Sequence, residues 1–338
     1  MSTHETTPLD LSGSATDIRA GQASALRRLA RKLLAISPEE TSFATRGFRC
    51  DEADIRDRLE GVASCFVRGY HAALEVDPPE LAARLHAEEP ALRGFAFEGA
   101  ALGITILDIC TLWRRGRLRA FLAGAGDAHA YIVHVGAGWS LARLPLRVPA
   151  LLRRLDPVLC WLALDGYGFH EGFFHAPRAV ARREVPAKVE GYARRAFDQG
   201  LGRSLWFVEG AHAARLGATI GTFPEARRPD LWSGIGLACA YAGGRGRADL
   251  ETLRRAAMPW TRELAQGAAF AAAARRRAGN PTPDAELACQ VLCGMGIEGA
   301  AAIADAAGRD LPPPAAGAAV PAFEVWRQRI QESFSPEV

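Results

Sequence analysis

Apolar residues recur along most of this chain at helical spacing, three or four apart, and strict alternation is scarce. In residues 22–36 (QASALRRLARKLLAI), Leu26, Leu29, Leu33 and Leu34 share one stripe with Arg and Lys opposite. This predicts an amphipathic helix that docks by its leucines; a membrane-surface role is the other reading of its cationic face. Ser37-Pro38-Glu39-Glu40 follows as a capping sequence, Ser37 at the N-cap and Pro38 at the first helical position. Residues 51–74 read as a helix with an acidic entrance, and Asp77-Pro78-Pro79 opens another. GFAFEGAALGITILDICTLW (94–113) is apolar nearly all round, which predicts a central helix. Residues 128–145 and 149–174 each read as a further helix.

Ala and Leu are abundant and β-branched alternation is rare, so the predicted fold class is mostly α. Residues 1–20 are polar and read as a disordered tail. The expected organisation continues with an N-terminal helical half (21–185) and a Pro-rich, charged connection (176–190). A C-terminal half (190–310) and a C-terminal extension (311–338) complete it.

The two halves look alike. Phe66…Gly69…Leu74 aligns with Phe197…Gly200…Leu205, offset by 131 from 66 to 197. Gly99 aligns with Gly234 and Gly136 with Gly267, and Leu164-Asp165-Gly166 aligns with Leu292-Cys293-Gly294. Four segments in the same order predict an internal duplication, with two similar halves packed about a pseudo-twofold axis. The repeated glycines would let helices approach closely or turn tightly. A ligand cleft is expected between the halves.

Composition narrows the function classes. The net charge is +3 over 338 residues, so no nucleic-acid footprint is expected. The seven cysteines are scattered and read as reduced core thiols, including the Cys289/Cys293 pair. The N-terminus lacks a basic start followed by an apolar core. Apolar runs break at charges before the roughly 20 residues a membrane helix needs. A cytoplasmic location without a membrane span is expected, peripheral attachment through the basic helix being the variant.

Polar groups differ between the halves. Glu98 faces Ser233 in the alignment, Asp165 faces Cys293, and Phe169-His170 faces Ile297 alone. Chemistry is therefore expected in the first half, in and around WLALDGYGFHEGFFH (161–175), where acids and histidines sit among aromatics. His170 and Glu171 could move protons, or they could be hydrogen-bonded scaffold. Zinc held by His170 and His175 is disfavoured, because five residues put the rings roughly 140° apart on a regular helix. No metal is expected and no motif identifies a cofactor. Glu98, set among aromatics and glycines, needs a partner such as Arg203 or Arg228, or a proton. Asp51, Glu52 and Asp54 suit a helix entrance better than a magnesium site.

The motifs GFAFEGAALG, GAGWSLARLP, LDGYGFHEGFF, GLGRSLWFVEG, RRPDLWSGIGLACAYAGG and ELACQVLCGM together resemble a bacterial family of unknown function, domain of unknown function 1702. Its members include enediyne biosynthesis proteins of the UnbL type. The resemblance implies tailoring or cyclisation of an apolar polyene or polyketide intermediate, beside UnbV-like and UnbU-like partner proteins. It supplies no catalytic residues. From the residues themselves, Asp165, His170, Glu171 and Glu98 are the acid–base candidates. Phe95, Phe97, Tyr167, Trp139, Trp206, Trp232 and Arg203 are the candidate substrate lining. The alternative is a non-catalytic carrier or accessory protein that binds the intermediate or a membrane redox partner.

Overall fold

The computed structural model describes residues 31–111, 116–313 and 320–334. The expected tail (1–20) and most of the expected basic helix (22–36) lie outside them; Leu33 is exposed and Ile36 buried. Helices dominate, with no strand among the described residues. Seven of them pack each against the next in chain order: α1 (Ala53–Glu75), α2 (Arg93–Cys110), α3 (Ala130–Gly138), α4 (Leu162–Phe174), α5 (Ala193–Val208), α6 (Arg228–Ala242) and α7 (Thr261–Arg277). Then α8 (Ile297–Ala307) lies on α7, and α9 (Ala322–Glu332) covers both. No single helix among the described residues is long and apolar enough to cross a membrane.

Glycine makes the stack. A glycine inside a helix costs about 1 kcal/mol relative to alanine, yet α3 to α6 each carry a pair spaced Gly-x-Gly, and α4 a further Gly172. Two residues turn a helix by about 200°, so the pair points to opposite flanks. In each pair the first glycine meets the preceding helix and the second the following one. A Cβ on Gly166 would lie 1.9 Å from the Val135 carbonyl oxygen, and one on Gly168 1.9 Å from that of Phe197. Gly200 and Gly202 repeat this against Asp165 and Leu231, and Gly234 and Gly236 against Gln199 and Leu264. Helix backbones therefore touch, and only a missing side chain allows it.

The residue before the first glycine is polar in several members and points into the stack. The Gln199 amide donates to Asp165 at 2.8 Å, and the Ser233 hydroxyl lies 3.1 Å from Gln199 Oε1 and 2.9 Å from Gln266 Oε1. These residues are 34, 34 and 33 positions apart. One helix plus its connection is thus the spacing unit. Arg327, fully buried on α9, ends the ladder by donating to Gln266, Asp230 and Glu324. The segment expected as an extension (311–338) is, over its described part, keyed into the core by this arginine.

Two of the four aligned glycine pairs occupy matching places four helices apart: Gly99/Gly234 and Gly136/Gly267 each pack on a carbonyl of the preceding helix. Gly69 and Gly200 do not match, since Gly69 meets the following helix at Ala96 and Gly200 the preceding one at Asp165. The fourth pair does not match either. Gly166 is pressed against Val135, whereas Gly294 follows a helix end with φ +71° and open space around it. Two long helices expected from the pattern are broken. Residues 128–145 divide into Ala130–Gly138 and Ser140–Arg143. In 149–174, Pro157 cannot donate to a helix, and Asp156 Oδ1 instead accepts from the Val158 and Leu159 amides to start a new turn. Among the described residues the buried apolar side chains form one continuous cluster across both expected halves.

Substituting Gly200→Ala places a methyl 1.7 Å from the Asp165 carbonyl oxygen. We expect a loss of about 1–3 kcal/mol or more, since backbone cannot yield locally. Gly61→Ala in α1 meets nothing within 4 Å, and should gain about 0.5–1 kcal/mol from helix propensity. Urea denaturation midpoints check both; shifts of the same sign would contradict the packing argument.

Candidate functional site

An aromatic pocket opens among α1, α2, α4, α5 and α6. Its cavity volume is small, about 40 Å³. Phe66, Phe95, Trp139, Phe169, Phe173, Phe174, Phe207 and Tyr241 supply most of the wall. Ile36, Glu40 and Thr41, on the segment before α1, close one side. That segment is tied down where Tyr70 donates to the Leu34 carbonyl and the Ile36 amide donates to His71 Nε2. A second apolar cavity, of about 30 Å³ between α3 and α7, shares Tyr241 with the first.

Of the three charged residues that line the pocket, Glu40 pairs with Arg46 at 2.8 Å, and the other two, Glu98 and Arg203, are buried. Both are at most 3% exposed. The Trp139 indole donates to Glu98 Oε1 at 3.2 Å, and Arg203 Nη2 lies 3.7 Å from Glu98 Oε2. Arg203 Nη1 donates to Asp165 Oδ1 at 2.5 Å, and its guanidinium sits 5.0 Å from the Phe169 ring centroid. One guanidinium thus serves two buried carboxyl groups. Burial pushes the Glu98 carboxyl up to about 7; the Arg203 charge opposes this and the Asp165 charge adds to it. A proton on Glu98 brings the trio to neutrality. The buried cluster on α9 is different: Arg327 and Arg195 face Asp230 and Glu324, two against two.

His170 and Glu171 are buried but do not line the pocket. His170 packs on two rings of its wall, Trp139 at 5.5 Å and Phe174 at 4.8 Å between centroids. Its Nδ1 lies 3.3 Å from Glu171 Oε1. Burial lowers the His170 pKa, with Glu171 opposing. Burial would raise Glu171, but the hydrogen bond and charge of His170, with His175 and Arg178, hold it below the ordinary carboxylate value.

The sequence-chosen residues therefore separate. Glu98, Arg203 and Trp139 meet in the pocket with Phe95, and Asp165 stands behind Arg203. Phe97 turns to the other side of α2, stacked on His129 at 4.0 Å, because two positions from Phe95 is about 200° of helix. Tyr167 packs on Phe197 and under Lys188 for the same reason, two positions from Phe169. Trp206 donates to the Gly243 carbonyl and Trp232 sits near the start of α6, far along the helix from Ala238 and Tyr241. Of the two arginines considered for Glu98, Arg203 is its neighbour, while Arg228 donates to the Phe223 and Gly221 carbonyls. Asp108 accepts the Arg117 and Leu118 amides, and Asp51 and Glu52 pair with Arg215 and Arg245. Cys293 donates to the Ala265 carbonyl within the core. Sequence reasoning missed Gln199, Gln266 and Arg327; the polar-Gly pairs at 165, 199, 233 and 266 were the available signal.

No curated protein and no solved structure matches this chain. It does match, over residues 25–334, the family described as protein of unknown function (DUF1702). That span takes in the stack, the pocket and the buried trio, and the chain belongs to the DUF1702 family.

Proposed function

We propose that this protein is an enzyme of secondary metabolism that binds an apolar, polyene-like intermediate in the aromatic pocket and acts on it by acid–base chemistry. Glu98 is the proton-carrying group, and Arg203 with Asp165 positions it and holds its charge. The observation that carries this reading is Glu98 itself: a buried carboxyl in a hydrocarbon-lined pocket, with a pKa of about 7. Such a group is poised to give and take a proton near neutral pH. Two small apolar cavities share Tyr241, and an elongated hydrocarbon would enter by parting the aromatic side chains that line them.

The same reading takes α1–α3 and α5–α7 as duplicated runs facing one another about a pseudo-twofold axis, with the pocket between them. The two matching glycine pairs, Gly99/Gly234 and Gly136/Gly267, support it, as does the Phe95–Tyr241 ring contact between α2 and α6 at 5.1 Å. It keeps the cytoplasmic setting, the UnbV-like and UnbU-like partners and the enediyne-type pathway that the resemblance implies.

A fluorescent conjugated polyene acid tests the pocket. Titration should saturate at one equivalent, and Ala238→Leu, which fills the lining, should weaken binding at least about tenfold, the 1.4 kcal/mol of a modest steric clash. Unchanged binding in that variant would place the ligand elsewhere. Glu98→Gln should keep the probe but lose proton exchange between a bound polyene and deuterated water; exchange that persists would remove Glu98 from the chemistry.

Stability should carry the same signature. Between the ordinary value of 4.5 and the folded value of about 7, native Glu98 holds a proton the unfolded chain has lost. Raising pH through that window therefore destabilises the wild type, by an amount on the order of 3 kcal/mol. Glu98→Gln should lack that fall and overtake the wild type toward pH 7, measured by urea denaturation across the window. Parallel pH profiles would show that Glu98 is ionised throughout.

A further inference from the structure

We propose that His170, Glu171 and His175 form a binding site for one divalent transition-metal ion, through two imidazoles and a carboxylate, with a coordination position left open. Five-residue spacing separates the two rings only on a helix that stays regular through position 175. The helix stops at Phe174, and His175 leaves its path with φ −130° and ψ 37°, while its amide still donates to the Glu171 carbonyl at 2.9 Å. The ring swings back to 5.8 Å from that of His170, and one ligand atom from each of the three residues lies within 4.8 Å of the others.

The spacing fits an ion. Metal–ligand bonds of about 2.1 Å in a tetrahedron place neighbouring ligand atoms roughly 3.4 Å apart. His170 Nδ1 and Glu171 Oε1 already stand at 3.3 Å, so an ion could replace the proton between them. Both side chains are held by burial, His170 by the Trp139 and Phe174 rings. His175 is exposed, so it can close the remaining gap of about 1 Å by rotation and leave a path for entry. Imidazole donors select zinc, cobalt, nickel, copper or iron over magnesium and calcium. Three protein ligands leave room for water or substrate. Arg143, Arg178 and Lys188 are close enough to act on this cluster electrostatically, which favours an anion such as hydroxide or a carboxylate at the open position.

The full chain, stripped with chelator, is titrated with Co²⁺ and with Zn²⁺ by calorimetry and visible absorption. One equivalent should bind and give the cobalt spectrum of a nitrogen–oxygen site without thiolate charge-transfer bands. His175→Ala, an exposed change that leaves folding intact, should weaken binding by more than the roughly 10–100-fold that loss of an outer-shell partner costs. Glu171→Gln should do the same, and Cys289→Ser should leave binding unchanged. Absence of saturable binding, equal binding by His175→Ala, or loss in Cys289→Ser with thiolate bands would each overturn the proposal. The three ligands adjoin the pocket wall but are not part of its lining, so polyene binding by His175→Ala is expected to match the wild type.

Discussion

Contact between a helix carbonyl and the Cα of its neighbour is the constraint on which this protein depends. Helices at ordinary separations are held by interdigitating side chains. Here glycines bring backbones together directly, in the geometry where Cα–H groups approach carbonyl oxygens. Because each Gly-x-Gly serves both flanks, one short motif commits a helix to two partners. The order of the stack then follows the order of the chain, as in repeat proteins whose units contact only their neighbours. Bulk is excluded from the contacts, so the aromatic mass collects on other helix faces, and those faces line the pocket.

Such close approach also fixes what polar residues can do. A side chain beside a glycine contact has no water to turn to and must find a partner on the next helix. Asp165, Gln199, Ser233 and Gln266 do so in sequence, each bonded to its neighbour in the ladder. The Ser233 hydroxyl has a single proton and donates to one of its two amide oxygens at a time. The ladder thereby fixes helix register, and only the Gln266 amide nitrogen among its members' side-chain groups is left buried without a partner.

Helical content, the central place of 94–113 and the importance of the glycines were legible because period and composition are local signals. The glycine spacing was visible as a similarity over 131 residues, which is four steps of a shorter unit; the unit itself hid behind varied polar residues such as Gln199 and Ser233. Arg203 could be named for Glu98 because burying a carboxylate demands a partner. Facing directions were less legible. Phe97 and Tyr167 have the right chemistry for a lining but sit two residues from Phe95 and Phe169, on the far sides of their helices. His175 shows the opposite error: a helix rule applied one residue past the end of the helix separates rings that the cap brings together.

Charge balance separates scaffold from chemistry here. Around Arg327, two guanidiniums meet two carboxylates, and Tyr192 adds a hydrogen bond to Glu324. Each charge there has a counterpart. Around Arg203 the count is one against two, and the surplus carboxyl is the one that faces the pocket. A fold that needed only rigidity at this point could place glutamine at 98, as it does at 199 and 266. Keeping an acid there costs stability whenever it ionises, and the cost falls on a position that lines the pocket.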